Sequence, residues 1–193
     1  SSKFTEYNYG AIVYAKSAIS FDYLMSAVGD EKFDDGMRFY FDNWKYKHPS
    51  PRDLQKTLEY HCAIDMNWFV KGMLQSKQKI DYKILHHKKL DNGSHRILVK
   101  GKGRVNGPVS LSGNKEKKLV GQVWYGGFEG RRVFEFPPSE VDKFIIDGQN
   151  TIPEVNRQNN TLKTKGLFKR AEPLQLNFLA KIDNPEKTQL NYL

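Results

Sequence analysis

The chain has 193 residues, with 31 basic and 22 acidic side chains, five histidines and a single cysteine. One cysteine excludes an internal disulfide and any Cys-rich zinc module. The sequence also has no stretch of about 18 apolar residues that could span a bilayer as a helix. It begins Ser-Ser-Lys-Phe without a methionine, and we expect it to be a fragment of a longer protein.

The excess of positive charge lies entirely in the second part of the chain. Residues 1–78 hold ten basic and ten acidic residues, whereas residues 79–193 hold 21 basic and 12 acidic residues. The formal net charge of +9 therefore belongs to the second part. Because the hydrophobic period changes at the same point, we predict a domain boundary near Gln78.

A first helix is predicted by apolar residues that recur every three or four positions, the period of one helix face. These residues are Ala11, Tyr14, Ala18, Phe21, Met25 and Val28. Gly29 should end this helix, and Asp30 is a suitable N-cap for a second one. The apolar face of the second helix is Phe33, Met37, Tyr40 and Trp44. The turn at His48 and Pro49 should end it.

Two shorter helices are predicted before residue 78. Ser50, Pro51 and Asp53 have the order of an N-cap, a first helical position and a first-turn acid. Asp65 can cap a fourth helix, whose apolar residues are Trp68, Phe69 and Met73. The four helices together predict an N-terminal helical bundle part over residues 1–78.

From residue 80 the pattern changes to short apolar segments with a period of two, bounded by Gly, Asn, Pro or Asp. The segments are 82–84, 97–99, 109–111, 119–124, 133–136 and 144–146. Six or seven such strands predict an antiparallel, immunoglobulin-like β-sandwich over residues 79–160. The fold class is thus expected to be α+β, with residues 161–193 as a C-terminal extension. Within these parts, residues 153–165 are interpreted as an irregular loop and residues 174–180 as a short helix.

The sequence holds no complete hydrolase motif. It has no His-Glu-x-x-His pair, no Gly-x-Ser-x-Gly turn and no phosphate-binding loop. His86 and His87 would point to opposite faces of a strand, which argues against shared metal ligation. Cys62 is interpreted as a small buried apolar residue rather than a nucleophile.

The basic residues of the second part, with Trp124, Tyr125 and Phe128 nearby, are compatible with nucleic acid binding. Most of them fall in predicted turns and strand edges, however, where Lys commonly prevents edge pairing. We therefore expect no nucleic acid partner. A non-catalytic module that uses the basic β-domain to bind a protein partner, a glycan or a polyanion stays open as an alternative.

Four sequence blocks carry a resemblance to a known family. They are YGAIVYAKS at residues 9–17, DMNWF at 65–69, WYGGF at 124–128 and NRQNN at 156–160. In this order and spacing they resemble the gluzincin M1 aminopeptidases, in particular the M1-like peptidases typical of Bacteroidetes. The first two blocks correspond to the part of that family just after its zinc-binding motif, and the last two resemble the β-sandwich of that branch. Together they extend over nearly the whole chain.

The resemblance implies that the parent protein is a zinc aminopeptidase that hydrolyses N-terminal residues from peptides. Tyr14 takes the place of the family's catalytic tyrosine, which stabilises the oxyanion, and Tyr9 matches a second tyrosine near the site. Ala15 and Ser17 stand where many members have Glu and Gly. These two differences bear on how the start of the helix is positioned, and not on the role of the tyrosine. The zinc ligands and the general base would lie before Ser1. The fragment alone is therefore expected to bind no zinc and to be inactive.

The resemblance also implies partners and a location. The fragment would need the missing N-terminal catalytic half, and the full-length protein would act on a peptide substrate. Members of this branch carry secretion signals, which implies a periplasmic, outer-membrane-associated or secreted protein. A pseudo-enzyme that keeps the M1 scaffold without activity is a second alternative, and an intact upstream His-Glu-x-x-His motif would exclude it.

Overall fold

The computed structural model of the chain describes residue 5 and residues 9–166. Its helices are α1 (Gly10–Lys16), α2 (Ser17–Val28), α3 (Asp30–Trp44), α4 (Pro51–Cys62) and α5 (Trp68–Leu74). Its strands are β1 (Tyr82–Lys89), β2 (His95–Gly101), β3 (Val109–Lys115), β4 (Lys118–Tyr125), β5 (Arg131–Phe136), β6 (Lys143–Ile146) and β7 (Thr161–Lys163). Helices followed by antiparallel sheets confirm the predicted α+β class. Within this part of the chain, no helix combines the length and apolarity needed to cross a bilayer.

The first helices are joined with little or no connecting chain. α1 and α5 have the i→i+5 hydrogen bonding of a π-helix, and α1 continues directly into α2. Gly29 has a φ of 89° and ends α2, as predicted. Gly29 also occupies the N-cap position of α3, so Asp30 is its first helical residue and not its N-cap. α3 ends at Trp44, four residues before His48.

Local side-chain contacts fix the start and the end of α4. The Asp53 carboxylate accepts hydrogen bonds from the Ser50 backbone N–H at 2.9 Å and from the Ser50 hydroxyl at 2.6 Å. Ala63 then adopts a left-handed conformation, with a φ of 55°, and ends the helix. Before α5, the Asp65 carboxylate accepts a hydrogen bond from the Asn67 backbone N–H at 3.0 Å. The start of α4 agrees with the prediction, whereas Asn67, and not Asp65, occupies the N-cap position of α5.

The seven strands form two antiparallel sheets, with strand orders β1-β2-β5 and β4-β3-β6-β7. The sheets face each other through aromatic contacts: the rings of Tyr125 and Phe134 stack at 3.9 Å, and those of Phe136 and Phe144 meet edge-on at 5.4 Å. A constant-type immunoglobulin sandwich pairs its fourth strand with the fifth, whereas here β4 pairs with β3. The short β7 lies in the segment that the sequence predicts to be irregular.

The buried side chains form one cluster that extends from α2 to β7. In α2 the buried residues are Ser20, Tyr23 and Leu24. The face predicted from the sequence differs, because Ala11, Tyr14 and Ala18 are exposed. A period of 3.6 does not carry through the wider turns of the π-helical α1. The predicted helix at 174–180 and most of the predicted C-terminal extension lie outside the described residues.

Candidate active-site surface

The two tyrosines predicted as site residues lie together on the protein surface. Tyr14 belongs to α1 and is 66% exposed, and Tyr9, at the N-cap position of α1, is 42% exposed. Their spacing of five residues matches the i→i+5 turn of a π-helix, so both side chains fall on one side of the helix. Their ring centroids are 5.6 Å apart in an edge-to-face arrangement.

Within the described part of the chain, the Tyr14 hydroxyl has no hydrogen-bond partner. It is therefore available to an acceptor outside these residues. Two other tyrosines behave differently. The hydroxyl of Tyr23 donates to the Pro108 carbonyl, and that of Tyr82 donates to the Gly107 carbonyl at 2.7 Å, both in the core. Tyr14 is therefore not one of the tyrosines that stabilise the core.

The end of α1 is held against the segment that follows α5. The Lys16 ammonium donates a hydrogen bond to the Ser76 carbonyl at 2.9 Å. One turn later, the Ser20 hydroxyl donates to the Lys16 carbonyl at 2.7 Å. These contacts attach the C-terminal end of α1, two residues after Tyr14, to the rest of the helical part.

Exposed apolar surface surrounds the two tyrosines. Ala11 and Ile12 are exposed, and Val13 is half-buried. A groove of about 330 Å³ runs beside α1, and its apolar lining includes Ala11, Ala15, Ile19, Met73, Ile80, Pro153 and Val155. Apolar area of this extent on one helix face is typical of a surface that packs against another part of a protein.

The NRQNN block has a structural role in the loop between β6 and β7. The Arg157 guanidinium donates to the Asp147 carboxylate at 2.8 Å and to the Ile152 carbonyl at 2.7 Å. Burial raises the pKa of Asp147, while the backbone N–H groups of Ile152 and Thr151 and the nearby Arg157 act in the opposite direction. Asp147 itself adopts a left-handed φ of 55°, so the interaction fixes a turn.

Sequence reasoning missed the buried acid Glu154. Its carboxylate accepts hydrogen bonds from the Tyr82 backbone N–H and from the Asn160 amide, the latter at 2.5 Å. Burial is the main reason why its pKa is raised to about 7, and Asp81 and Asp147 raise it further. A single Glu in a polar loop carries no sequence feature that predicts this burial.

No metal centre is formed by the residues that the structure describes, since no three His, Cys, Asp or Glu side chains come together there. His87 Nε2 lies 2.8 Å from His95 Nδ1, and His95 Nε2 lies 2.9 Å from the Ser139 carbonyl. Because a carbonyl only accepts, His95 donates from Nε2 and accepts at Nδ1 from His87. The two rings are hydrogen-bonded to each other rather than arranged to bind a metal, and residues 9–166 do not by themselves fit a zinc ion.

The sequence of the helical part matches a family model. Residues 2–73 match the model of the peptidase family M1 domain. The helical part of this chain is therefore similar to a segment of an M1 peptidase domain, and we call residues 2–73 the M1 segment. The resemblance read from the sequence is thereby confirmed, and both Tyr9 and Tyr14 lie within the matched residues of the M1 segment.

The M1 segment and the strands after it also resemble a solved structure. The crystal structure of Legionella pneumophila aminopeptidase A in complex with aspartic acid matches with a TM-score of 0.62 and 15% sequence identity. The match covers 77% of this chain and 18% of that chain, so the M1 segment and its sandwich span less than a fifth of the neighbour's length. At this identity the likeness concerns the fold. No curated protein sequence matches significantly.

Proposed function

We propose that the chain is part of a zinc-dependent M1 aminopeptidase that hydrolyses N-terminal residues from peptides, and that Tyr14 stabilises the oxyanion in its active site. The observation that carries this proposal is the exposed Tyr14 hydroxyl, which has no hydrogen-bond partner within residues 9–166 and lies in the M1 segment. The similarity in fold to an aminopeptidase supports it.

A phenol suits this role chemically. Hydrolysis of a peptide bond develops negative charge on the carbonyl oxygen, and a fixed hydrogen-bond donor lowers the free energy of that state. One such donor contributes about 3 to 4 kcal/mol in comparable sites. Tyr9 meets the Tyr14 ring edge-on, so we assign it a positioning role that restricts the orientation of the Tyr14 ring.

Zinc and the general base are proposed to belong to the N-terminal catalytic half of the parent protein. A bound zinc would act as a Lewis acid on the peptide carbonyl. The isolated chain should then hold no stoichiometric zinc and hydrolyse nothing. Metal analysis together with an aminoacyl-amide assay tests both statements, and one tightly bound zinc per chain would contradict them.

The decisive experiment is Tyr14→Phe in the full-length protein. A donor that bonds only the oxyanion stabilises the transition state and not the bound substrate, so kcat should fall about a hundredfold or more with KM nearly unchanged. The zinc content should stay the same. Tyr60→Phe is the matched control, because Tyr60 is also an exposed helical tyrosine, and its kcat should equal that of the parent protein.

Two results would overturn the proposal. An unchanged kcat in the Tyr14→Phe variant would mean that Tyr14 is a surface residue without a catalytic role. A full-length protein with no aminopeptidase activity and no His-Glu-x-x-His motif would favour the pseudo-enzyme.

The proposed location is periplasmic, outer-membrane-associated or secreted, and fractionation of cells that express the full-length protein tests it.

A further inference from the structure

The outward face of the sheet β1-β2-β5 carries a row of three cations. Lys83 of β1 lies directly opposite Lys100 of β2, and Lys100 lies directly opposite Arg131 of β5. Directly opposed residues share a face of the sheet, and neighbouring strands are about 4.8 Å apart. Three like charges therefore stand side by side, an arrangement that destabilises a sheet.

No acid of the described residues forms an ion pair with any of these three cations. Neighbouring basic residues differ. Lys102 pairs with Asp81 at 3.2 Å, and Arg96 pairs with Glu135 at 3.2 Å. The unfavourable row is thus not neutralised within this part of the chain, although Arg96 of β2 and Lys102, just after β2, are each paired with an acid. An anion from outside would remove the repulsion.

A row with two aliphatic side chains borders the cation row on the same face, and His86 of β1 is its third member. Leu98 lies opposite Val133, and each is two residues along its strand from a member of the cation row, about 7 Å away. Val133 is 50% exposed. The next row on this face holds the paired Arg96 and Glu135. The face therefore offers unpaired positive charge and an apolar strip side by side.

We propose that this sheet face, defined by Lys83, Lys100, Arg131, Leu98 and Val133, binds an acidic amphipathic helix of a partner protein. Acidic residues three or four positions apart on a helix lie about 5 to 6 Å from each other, close to the spacing of the cation row. The apolar stripe of such a helix would cover the aliphatic row. A linear anionic polysaccharide would pair with the cations but would leave the aliphatic row uncovered.

The test uses the chain with a synthetic peptide of about 20 residues, long enough to be helical. The peptide carries glutamates along one edge and leucines along the adjacent stripe. The triple variant K83Q/K100Q/R131Q should weaken peptide binding at least tenfold and reduce its salt dependence. The control variant K32Q/K56Q/K71Q removes the same charge from exposed positions of the helical part and should change binding less than twofold. An equal loss in both variants would overturn the proposal, because binding would then follow net charge alone.

A second comparison separates the helix from a polysaccharide. Val133→Ser should weaken binding of the peptide about threefold and leave binding of heparin, a sulfated polysaccharide, unchanged. Tight binding of heparin with no measurable binding of the peptide would overturn the proposal in favour of a glycan. Because the triple variant loses like-charge repulsion, its thermal unfolding midpoint should be equal to or higher than that of the parent chain. This measurement serves as the control that the variant is folded.

Discussion

The hydroxyl of Tyr23 in α2 donates a hydrogen bond to the carbonyl oxygen of Pro108, just before β3. Tyr23 is fully buried, and its ring centroid lies 5.1 Å from that of Trp68 and 6.4 Å from that of Trp124. Burial raises the pKa of the phenol well above its usual value, so the group stays a donor at any ordinary pH. One side chain therefore joins the helical part to the β part.

Tyr23→Phe should lower the free energy of unfolding by about 1 to 3 kcal/mol, because the buried Pro108 carbonyl loses its donor. Urea denaturation followed by circular dichroism measures the change. Tyr60→Phe, at an exposed position, should stay within about 0.5 kcal/mol of the parent chain. Equal stability of the two variants would mean that the Pro108 carbonyl finds another donor.

Helix boundaries could be predicted where local chemistry determines them. The left-handed φ of Gly29 and the Ser50–Asp53 interaction each depend on residues within a few positions of each other. The strand β7 could not be predicted in this way. It is three residues long and exists through its pairing with β6, which no local pattern reveals.

The same distinction between local and remote contacts separates the functional residues that the sequence predicted from those that it did not. Tyr14 was assigned through the order of the family blocks, whereas the period of 3.6 placed it on one apolar face of a regular helix that the π-helical α1 does not form. Tyr23 and Glu154 were missed because their partners are remote, 85 and 72 positions away in sequence. Burial of that kind depends on tertiary contacts.

Glu154 should make the chain less stable as pH rises. Its pKa is raised from 4.5 to about 7 by burial, so between these values the folded carboxyl keeps a proton that the unfolded carboxyl releases. Its contribution to the free energy of unfolding is complete below about pH 4.5 and is lost as pH rises to about 7. The loss amounts to at most about 3 kcal/mol. Glu154→Gln should flatten this dependence, as measured by urea denaturation across the range.

The surroundings of Glu154 can accommodate the substitution. Asn160 Oδ1 is buried without a hydrogen-bond partner within the described residues, and rotation of its amide would let it accept from the new side chain. Glu129→Gln, at an exposed position, is the control and should keep the dependence of the parent chain. A dependence that stays as steep in the Glu154→Gln variant would assign it to another group, such as Asp147.

Arg157→Lys should destabilise the chain although the charge is kept. Arg157 donates to the buried Asp147 carboxylate and to the Ile152 carbonyl at once, and an ammonium lacks the planar fork that reaches both. We expect a loss of about 1 to 3 kcal/mol in the free energy of unfolding. Arg96→Lys is the control, since its pair with Glu135 is exposed and contributes little. Similar small effects in both variants would contradict a structural role for the Arg157 interaction.

Two adjacent glycines in the WYGGF block provide the sharpest test of the packing between β4 and the loop before β3. A Cβ atom at Gly127 would lie 1.8 Å from the Asn106 carbonyl oxygen and 2.4 Å from its carbonyl carbon. Both are backbone atoms, so no side-chain rotation can relieve the clash. A Cβ atom at Gly126 would meet no atom within 4 Å.

Gly127→Ala should therefore lower the free energy of unfolding by at least about 2 kcal/mol, because the two backbone segments must move apart. Gly126→Ala should be neutral or stabilise by a few tenths of a kcal/mol, since alanine reduces the entropy of the unfolded chain. Both variants add the same methyl group, so their difference isolates the close approach at Gly127. Thermal and urea denaturation of the pair measure it. Equal stability of the two variants would show that the loop at Asn106 moves away without cost.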